Sequence, residues 1–302
     1  MHLKKRDRLF VSTSLAPAVI CFVVIFIYPL IKTTLMSFFE VPVLSSPYSD
    51  WKYVGLANYT GALSNNVFLA SLHNLWRIWL FGGIFTLALA LFYAVIIASG
   101  VKGKKFWRSL VYLPNTVNAI ALGNMWVQYV FQSKYGMLKT VFTKLGWETL
   151  AKVNWLSPNM IFWSMLGSFI LGSVGYFMLI FLAGIEQIPS DLYESARLDG
   201  ANAWVQFWKL TFPLIRSVFR TGMTLWTMTA VGFFTWGRMF TTMGIATTTV
   251  TPVNYLYNDL FGKGAATGSA GEAAAIGVMM ALVVLLIHTL INWVFREEAI
   301  EY

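Results

Sequence analysis

Six long apolar segments constrain this chain more than any other feature of its sequence. Charged side chains lie only toward the ends of these segments. A bilayer core requires about 20 consecutive apolar residues per helix. Backbone polar groups exposed to lipid must be hydrogen-bonded within the protein, which only helices and closed β-barrels achieve. Period-two alternation is absent, so we predict transmembrane helices at approximately residues 11–35, 75–99, 108–131, 159–184, 215–240 and 273–294.

Composition supports lipid as the solvent and argues against nucleic acid as a partner. Only 12% of the 302 residues are charged, whereas an average soluble domain has about 25%. The net charge of +9 arises from basic residues at segment ends and not from a basic patch interleaved with aromatic side chains. We therefore expect no nucleic-acid binding. Cys21 lies inside the first segment and is the one cysteine, so no intrachain disulfide can form.

Basic residues also predict the orientation of the chain. They gather before the first segment, between the second and third segments, and around the connection of the fourth to the fifth. By the positive-inside rule these regions are cytoplasmic, which places both termini inside. The first segment is too long for a signal-peptide core and has no small-residue cleavage site. We interpret it as a retained membrane helix.

The connection at residues 186–213 is charged although its surroundings are apolar. Pro189-Ser190-Asp191 is typical of a helix start, and the spacing of Asp191 and Glu194 fits a capping box. This pattern predicts a short helix that continues through Leu198.

A turn and a second helix are predicted to follow. In Asp199-Gly200 the glycine can adopt a positive φ, and Asn202 can cap a helix over residues 203–210. Pro213 then opens the fifth membrane segment. A membrane chain that keeps such an element outside the bilayer is expected to present it to another protein.

Glu194-Ser195-Ala196, followed by Gly200 and then by Leu210-Thr211-Phe212-Pro213, resembles the cytoplasmic "EAA" loop of ABC importer permease subunits. The spacing matches, although Ser195 replaces alanine and Phe212 replaces the usual leucine. Residues 54–59 (Val-Gly-Leu-Ala-Asn-Tyr) resemble an external segment of the first permease in systems related to the maltose, lactose and glycerol-3-phosphate importers. Residues 242–246 (Thr-Met-Gly-Ile-Ala) depart from the "T-x-GGP" signature of that type.

The resemblance implies an all-α membrane protein of the type I importer fold, with six transmembrane helices and a cytoplasmic coupling loop in a single permease domain over 1–302. It implies a bacterial plasma (inner) membrane location, a second homologous permease, a cytoplasmic ATPase dimer and an extracellular or periplasmic solute-binding protein. The chain has no phosphate-binding G-x-x-x-x-G-K-[ST] loop. ATP and Mg²⁺ would therefore bind to the ATPase subunits, and this chain would bind no cofactor. The implied ATPase-coupling residues are Glu194, Ser195, Ala196, Leu198, Gly200, Ala201 and Pro213.

The substrate is expected to cross between the third, fourth and fifth segments. Sugar sites combine aromatic faces with hydrogen-bonding side chains in an apolar wall, and the third segment is rich in amides. The resemblance places the pocket in the middle of these helices, and the matching residues are Asn118, Gly172, Ser173, Tyr176, Trp226, Thr229 and Phe233. For each of these residues, helix–helix packing is the alternative role.

Segments three to five have no arginine or lysine at mid-depth, which favours a neutral sugar or oligosaccharide. The same type of importer carrying glycerol-3-phosphate or another polar solute is the alternative within this class.

Two other functional classes were weighed against the importer. An ion-coupled secondary transporter should place an acidic residue or histidine at mid-membrane, but His73, Glu272 and His288 lie toward segment ends. A membrane enzyme needs converging nucleophile, base or metal ligands. The three histidines and one cysteine are scattered, so the sequence predicts no catalytic residue and no metal site.

Overall fold

The computed structural model describes residues 5–241, 246–261 and 269–295, with side chains from Thr13 onward. The degraded signature at 242–245 lies outside the described residues. The helices are α1 (Lys5–Phe22), α2 (Tyr28–Met36), α3 (Ala57–Ser64), α4 (Asn66–Arg77), α5 (Gly83–Ala98), α6 (Lys104–Thr116), α7 (Ala119–Met125), α8 (Met137–Lys144), α9 (Glu148–Ala151), α10 (Ile161–Ile185), α11 (Ser190–Leu198), α12 (Ala203–Gln206), α13 (Phe212–Leu214), α14 (Arg216–Val231), α15 (Thr235–Phe240), α16 (Pro252–Phe261) and α17 (Ala270–Val294). A short antiparallel pair, β1 (Phe39–Glu40) and β2 (Lys52–Tyr53), lies between α2 and α3.

Four helical stretches of the described chain are long and apolar enough to cross a membrane: Thr13–Met36, Asn66–Ala98, Ile161–Ile185 and Ala270–Val294. They coincide with the first, second, fourth and sixth predicted segments. π-helical turns join α1 to α2 and α4 to α5, so each pair is one continuous helix. The second helix begins at Asn66, earlier than the predicted residue 75. Its first turns carry polar residues, so they lie outside the apolar segment on which the prediction was based.

The third and fifth predicted segments are interrupted helices and not continuous ones. Pro114 lies in the last turn of α6, and Val117 and Asn118 then have extended backbone. Proline cannot donate a backbone hydrogen bond, which weakens the helix around it. The Asn118 side chain accepts a hydrogen bond of 2.9 Å from the Ile120 N–H and starts α7. The count of six spanning helices therefore stays a prediction.

The second interruption separates α14 from α15 at residues 232–234. The hydroxyl of Thr251 donates a hydrogen bond of 2.8 Å to the carbonyl of Phe233. Non-helical backbone at membrane depth is tolerated only where protein or a water-filled cavity satisfies its polar groups. Thr251 supplies such a partner to this break.

The chain divides into two compact units. The first contains the chain up to Asn65 together with Leu256–Ala281. In it, the Asn58 amide donates to the carbonyls of Ser37 and Phe39, at 2.9 and 2.8 Å. A Cβ at Gly271 would overlap the same Phe39 carbonyl. The sequence motif around Asn58 is thus hydrogen-bonded to the segment that follows the first membrane helix.

The second unit comprises Asn66–Tyr255 and Leu282–Tyr302. Its core lies along α10, which packs against α5, α6 and α14. Phe177, Met178 and Phe181 of α10 are almost fully buried there. A Cβ at Gly175 would overlap the backbone of Val111, so this glycine permits the close approach of α6 to α10.

Candidate functional site

The charged connection between α10 and α14 folds as two short helices, and residues 186–213 are called the paired-helix loop below. Its first helix, α11, begins at Ser190 after the extended backbone of Pro189. The predicted capping box is wrong, because no side chain caps this helix and Asp191 lies within its first turn. A carboxylate in the first turn still interacts favourably with the helix dipole. The predicted end at Leu198 is confirmed.

The turn after α11 depends on the backbone of Gly200. The Gly200 N–H donates to the Arg197 carbonyl at 3.0 Å, and the Ala201 N–H donates to the Ala196 carbonyl at 2.9 Å. These two bonds define a Schellman motif, which requires a left-handed residue. Gly200 has φ +81°. The predicted positive-φ turn is therefore confirmed.

The second half of the paired-helix loop is tied back onto the first. The Asn202 side chain accepts a hydrogen bond of 2.9 Å from the Val205 N–H, which confirms the predicted cap of α12. A π-helical turn leads from α12 to α13, which contains Pro213, and α14 begins only at Arg216. The hydroxyls of Tyr193 and Thr211 lie 3.0 Å apart and join the two halves.

The surface of the paired-helix loop is suited to a protein partner. Leu198 is 89% exposed, which is unfavourable in water for a large apolar side chain. Glu194 is also exposed. Within the described ranges, its carboxylate has no hydrogen-bond or ion-pair partner. Of the other predicted coupling residues, Ser195, Gly200 and Pro213 are exposed, and Ala196 and Ala201 are half-buried.

The predicted substrate-path residues fall into two groups by burial. Asn118, Tyr176 and Thr229 have exposed side chains, with Tyr176 at 39%. Three other side chains of the set are buried, at 8% exposed for Ser173 and 2% each for Trp226 and Phe233. The seventh, Gly172, is also buried.

Trp226 and Phe233 belong to an aromatic cluster that packs the helices together. The Trp226 indole N–H donates to the Trp79 carbonyl at 2.9 Å, and the Trp79 indole N–H donates to the Thr227 hydroxyl at 3.0 Å. Phe169 packs edge-to-face on Phe233 with ring centroids 4.7 Å apart. Burial of Trp226 and Phe233 inside this chain favours a packing role for both.

The two short helices that follow the breaks, α7 and α15, pack together and meet α10 at Gly172. A Cβ at this glycine would lie 3.2 Å from the Leu122 side chain and 3.3 Å from the Trp236 ring. The Asn115 amide, just before the first break, is 3.5 Å from the Gly172 carbonyl. The breaks thus lie on elements that converge on the middle of α10.

Sequence reasoning missed several residues that position these features. Tyr193, Thr211 and Gln206 hold the paired-helix loop together, and the Gln206 amide donates to the Ala201 carbonyl at 2.7 Å. Polar side chains facing inward on two adjacent short helices were the available signal. Pro114 and Gly232 were the signals for the breaks.

Helices that are long and apolar enough to cross a bilayer indicate a multi-pass membrane protein, and the paired-helix loop is an exposed, partly apolar element outside them. Residues 86–297 match the family described as "Binding-protein-dependent transport system inner membrane component". The chain belongs to this family, as its resemblance to the importer permeases predicts.

Curated relatives agree with this assignment. The chain is 30% identical to the diacetylchitobiose uptake system permease protein of Streptomyces coelicolor, over 82% of this chain and 72% of the relative. It is 29% identical to the arabinooligosaccharides transport system permease protein of Bacillus subtilis, over 90% and 84%. It is also 29% identical to the sn-glycerol-3-phosphate transport system permease protein of Agrobacterium fabrum, over 95% and 94%.

A solved structure supports the fold. The chain resembles one chain of a bacterial ABC transporter involved in the import of the acidic polysaccharide alginate, with a TM-score of 0.80 and 23% identity. The match covers 97% of this chain and 96% of that chain. The predicted type I importer permease fold is thereby confirmed.

Proposed function

We propose that this chain is the membrane-spanning permease subunit of an ATP-driven importer for a neutral sugar or oligosaccharide. Support for the substrate class comes from the relatives, two of which are named for diacetylchitobiose and for arabinooligosaccharides. The chain carries the solute between outward-open and inward-open arrangements by alternating access, without chemistry of its own. It works with a second permease, an ATPase dimer and an external solute-binding protein in a bacterial inner membrane.

The observation that carries the proposal is the exposed paired-helix loop. A partner shifts the equilibrium between two arrangements only if it contacts them differently. Closure of an ATPase dimer can therefore shift the permease between its arrangements only if a rigid element of the permease transmits the movement. The Schellman turn at Gly200 and the Tyr193–Thr211 hydrogen bond make this loop such an element. Glu194 supplies a negative charge, without an ion-pair partner among the described residues, for a basic group of the ATPase, and Leu198 supplies the apolar contact.

The substrate path is proposed to run past the first helix break. Non-helical backbone at membrane depth is tolerated where it lines a water-filled cavity, whereas the Phe233 carbonyl at the second break is already bonded to Thr251. Asn118 lies at the first break, and Tyr176 and Thr229 offer an aromatic face and a hydroxyl. An aromatic face combined with an amide and a hydroxyl is suited to a neutral sugar.

Co-purification of the ATPase tests the proposed coupling role. Glu194→Arg is expected to remove the ATPase subunit from a complex purified from cells that co-express the neighbouring transport genes. The second permease should be retained, because Glu194 is exposed and its replacement leaves the helix core intact. Glu148→Arg is the control, as this residue is an exposed acid outside the paired-helix loop. Equal ATPase recovery with both variants would contradict the proposal.

Glycerol-3-phosphate is a second candidate substrate because the relative named for it matches 95% of this chain. Uptake into proteoliposomes that contain the whole importer distinguishes the two. Uptake of a neutral oligosaccharide, unaffected by excess glycerol-3-phosphate, is the expected result. Competition by glycerol-3-phosphate would favour the second candidate.

A further inference from the structure

An arginine of the second membrane helix contacts two aromatic rings and has no acidic partner among the described residues. The guanidinium carbon of Arg77 lies 3.7 Å from the ring centroid of Phe162 and 4.9 Å from that of Trp163. No carboxylate of the described chain lies within ion-pair distance of it, and none of its N–H groups has a hydrogen-bond partner there. Contact of a guanidinium with ring faces does not use its five N–H donors, which stay free for another partner.

The position of Arg77 along its helix corresponds to a membrane boundary. Residues 78–98 contain no charged or amide side chain, and at ~1.5 Å per residue they span roughly 31 Å. This length equals the ~30 Å thickness of the hydrocarbon core. Arg77 therefore lies where the hydrocarbon ends and the phosphate groups of the lipids begin.

The neighbourhood of Arg77 has the composition of a membrane interface. Trp76 and Trp163 are 55% and 42% exposed, and the Phe81 ring packs edge-on against Trp163 with centroids 5.6 Å apart. Tryptophan is enriched at the headgroup level because its ring is amphipathic. An uncompensated cation among these rings is complementary to an anion at the same depth.

We propose that Arg77, in contact with the rings of Phe162 and Trp163, binds the phosphate of a phospholipid, in the outer leaflet for the orientation proposed above. A guanidinium binds phosphate through two parallel N–H···O bonds, and the two rings, which are perpendicular to each other, restrict its position. The exposed faces of Trp76 and Trp163 flank the acyl chains below the phosphate. This lipid site is independent of the substrate that the importer carries.

Thermal unfolding in nanodiscs tests the proposal on the full chain with its co-purified subunits. The wild-type protein is expected to unfold at a higher temperature in phosphatidylglycerol than in a phosphate-free diglucosyl lipid. Arg77→Met should lose most of this difference, whereas Arg108→Met, which removes an exposed charge of α6, should keep it. Arg77→Lys keeps the charge without the planar fork and should retain only part of the difference.

Lipid retention measured by native mass spectrometry gives an independent readout. Loss of charge-assisted hydrogen bonds should weaken retention of phosphatidylglycerol by Arg77→Met about tenfold. Equal retention by wild type and Arg77→Met would overturn the proposal, as would a wild type that is indifferent to lipid phosphate. Stabilisation by inorganic phosphate in detergent to the same extent would overturn a lipid source. Dissociation of the second permease from Arg77→Met in the phosphate-free lipid would instead assign Arg77 to a subunit contact.

Discussion

Gly200 is specified by its backbone conformation and not by lack of space. Beyond its two chain neighbours, no atom of the described residues lies within 4 Å of the place where its Cβ would be, yet its φ is +81°. The Schellman bonds at this position orient the start of α12 relative to α11. The backbone conformation of the turn therefore explains why glycine is required at this position, without any contact with a partner.

Replacement of Gly200 by alanine is expected to destabilise the turn by about 1–2 kcal/mol, because an L-residue is strained in the left-handed region. Gly200→Asn should cost less, since asparagine tolerates that region. The measurement is the affinity of the purified permease for its ATPase. Gly61→Ala is a matched control, because Gly61 also has open space but no positive φ. Full affinity in Gly200→Ala would show that the turn does not shape the docking surface.

At the scale of elements, the paired-helix loop transmits force only if its two halves move together. The Tyr193–Thr211 hydrogen bond links α11 to the turn before α13, across 18 positions in the chain. The Gln206–Ala201 bond closes the same loop locally. The loop is thus one unit built from two helices that are each too short to be stable alone.

A double-mutant cycle with Tyr193→Phe and Thr211→Val measures this link. A coupling energy of about 0.5–1.5 kcal/mol in the free energy of ATPase binding is expected, the usual net worth of a buried neutral hydrogen bond. Thr211→Val also removes the hydrogen bond of 3.4 Å that the Thr211 hydroxyl donates to the Gln206 carbonyl, and the cycle cancels this separate loss. Additive effects of the two changes would mean that the halves are coupled by packing and not by this bond.

Local patterns predicted the paired-helix loop well, but they did not predict the two broken helices. Caps and positive-φ turns depend on a few neighbouring residues, so Asn202 and Gly200 could be interpreted from sequence. Pro114 and Gly232 are local signals for the breaks, but the contact of Thr251 with the Phe233 carbonyl is distant in the chain and hydropathy does not encode it. Hydropathy therefore predicted one helix where the chain forms two.

Burial inside the second unit separates residues that the sequence placed in one set. Trp226 and Tyr176 both lie on stripes that combine aromatic and hydroxyl side chains, because packing faces and sugar-binding faces have the same composition in a membrane helix. In the structure Trp226 is 2% exposed and Tyr176 is 39% exposed. Tertiary packing, which periodicity does not encode, thus favours different roles for the two.

Transport kinetics of the whole importer test this separation. Tyr176→Ala is expected to raise the KM for the oligosaccharide, with assembly and thermal stability unchanged, because an exposed ring is lost from the proposed path. Tyr176→Phe should behave like wild type if stacking dominates. Trp226→Ala should instead lower the amount of assembled importer, since replacement of a buried tryptophan costs about 3–5 kcal/mol. An unchanged KM in Tyr176→Ala, measured with binding protein in excess, would place the path on another face of α10.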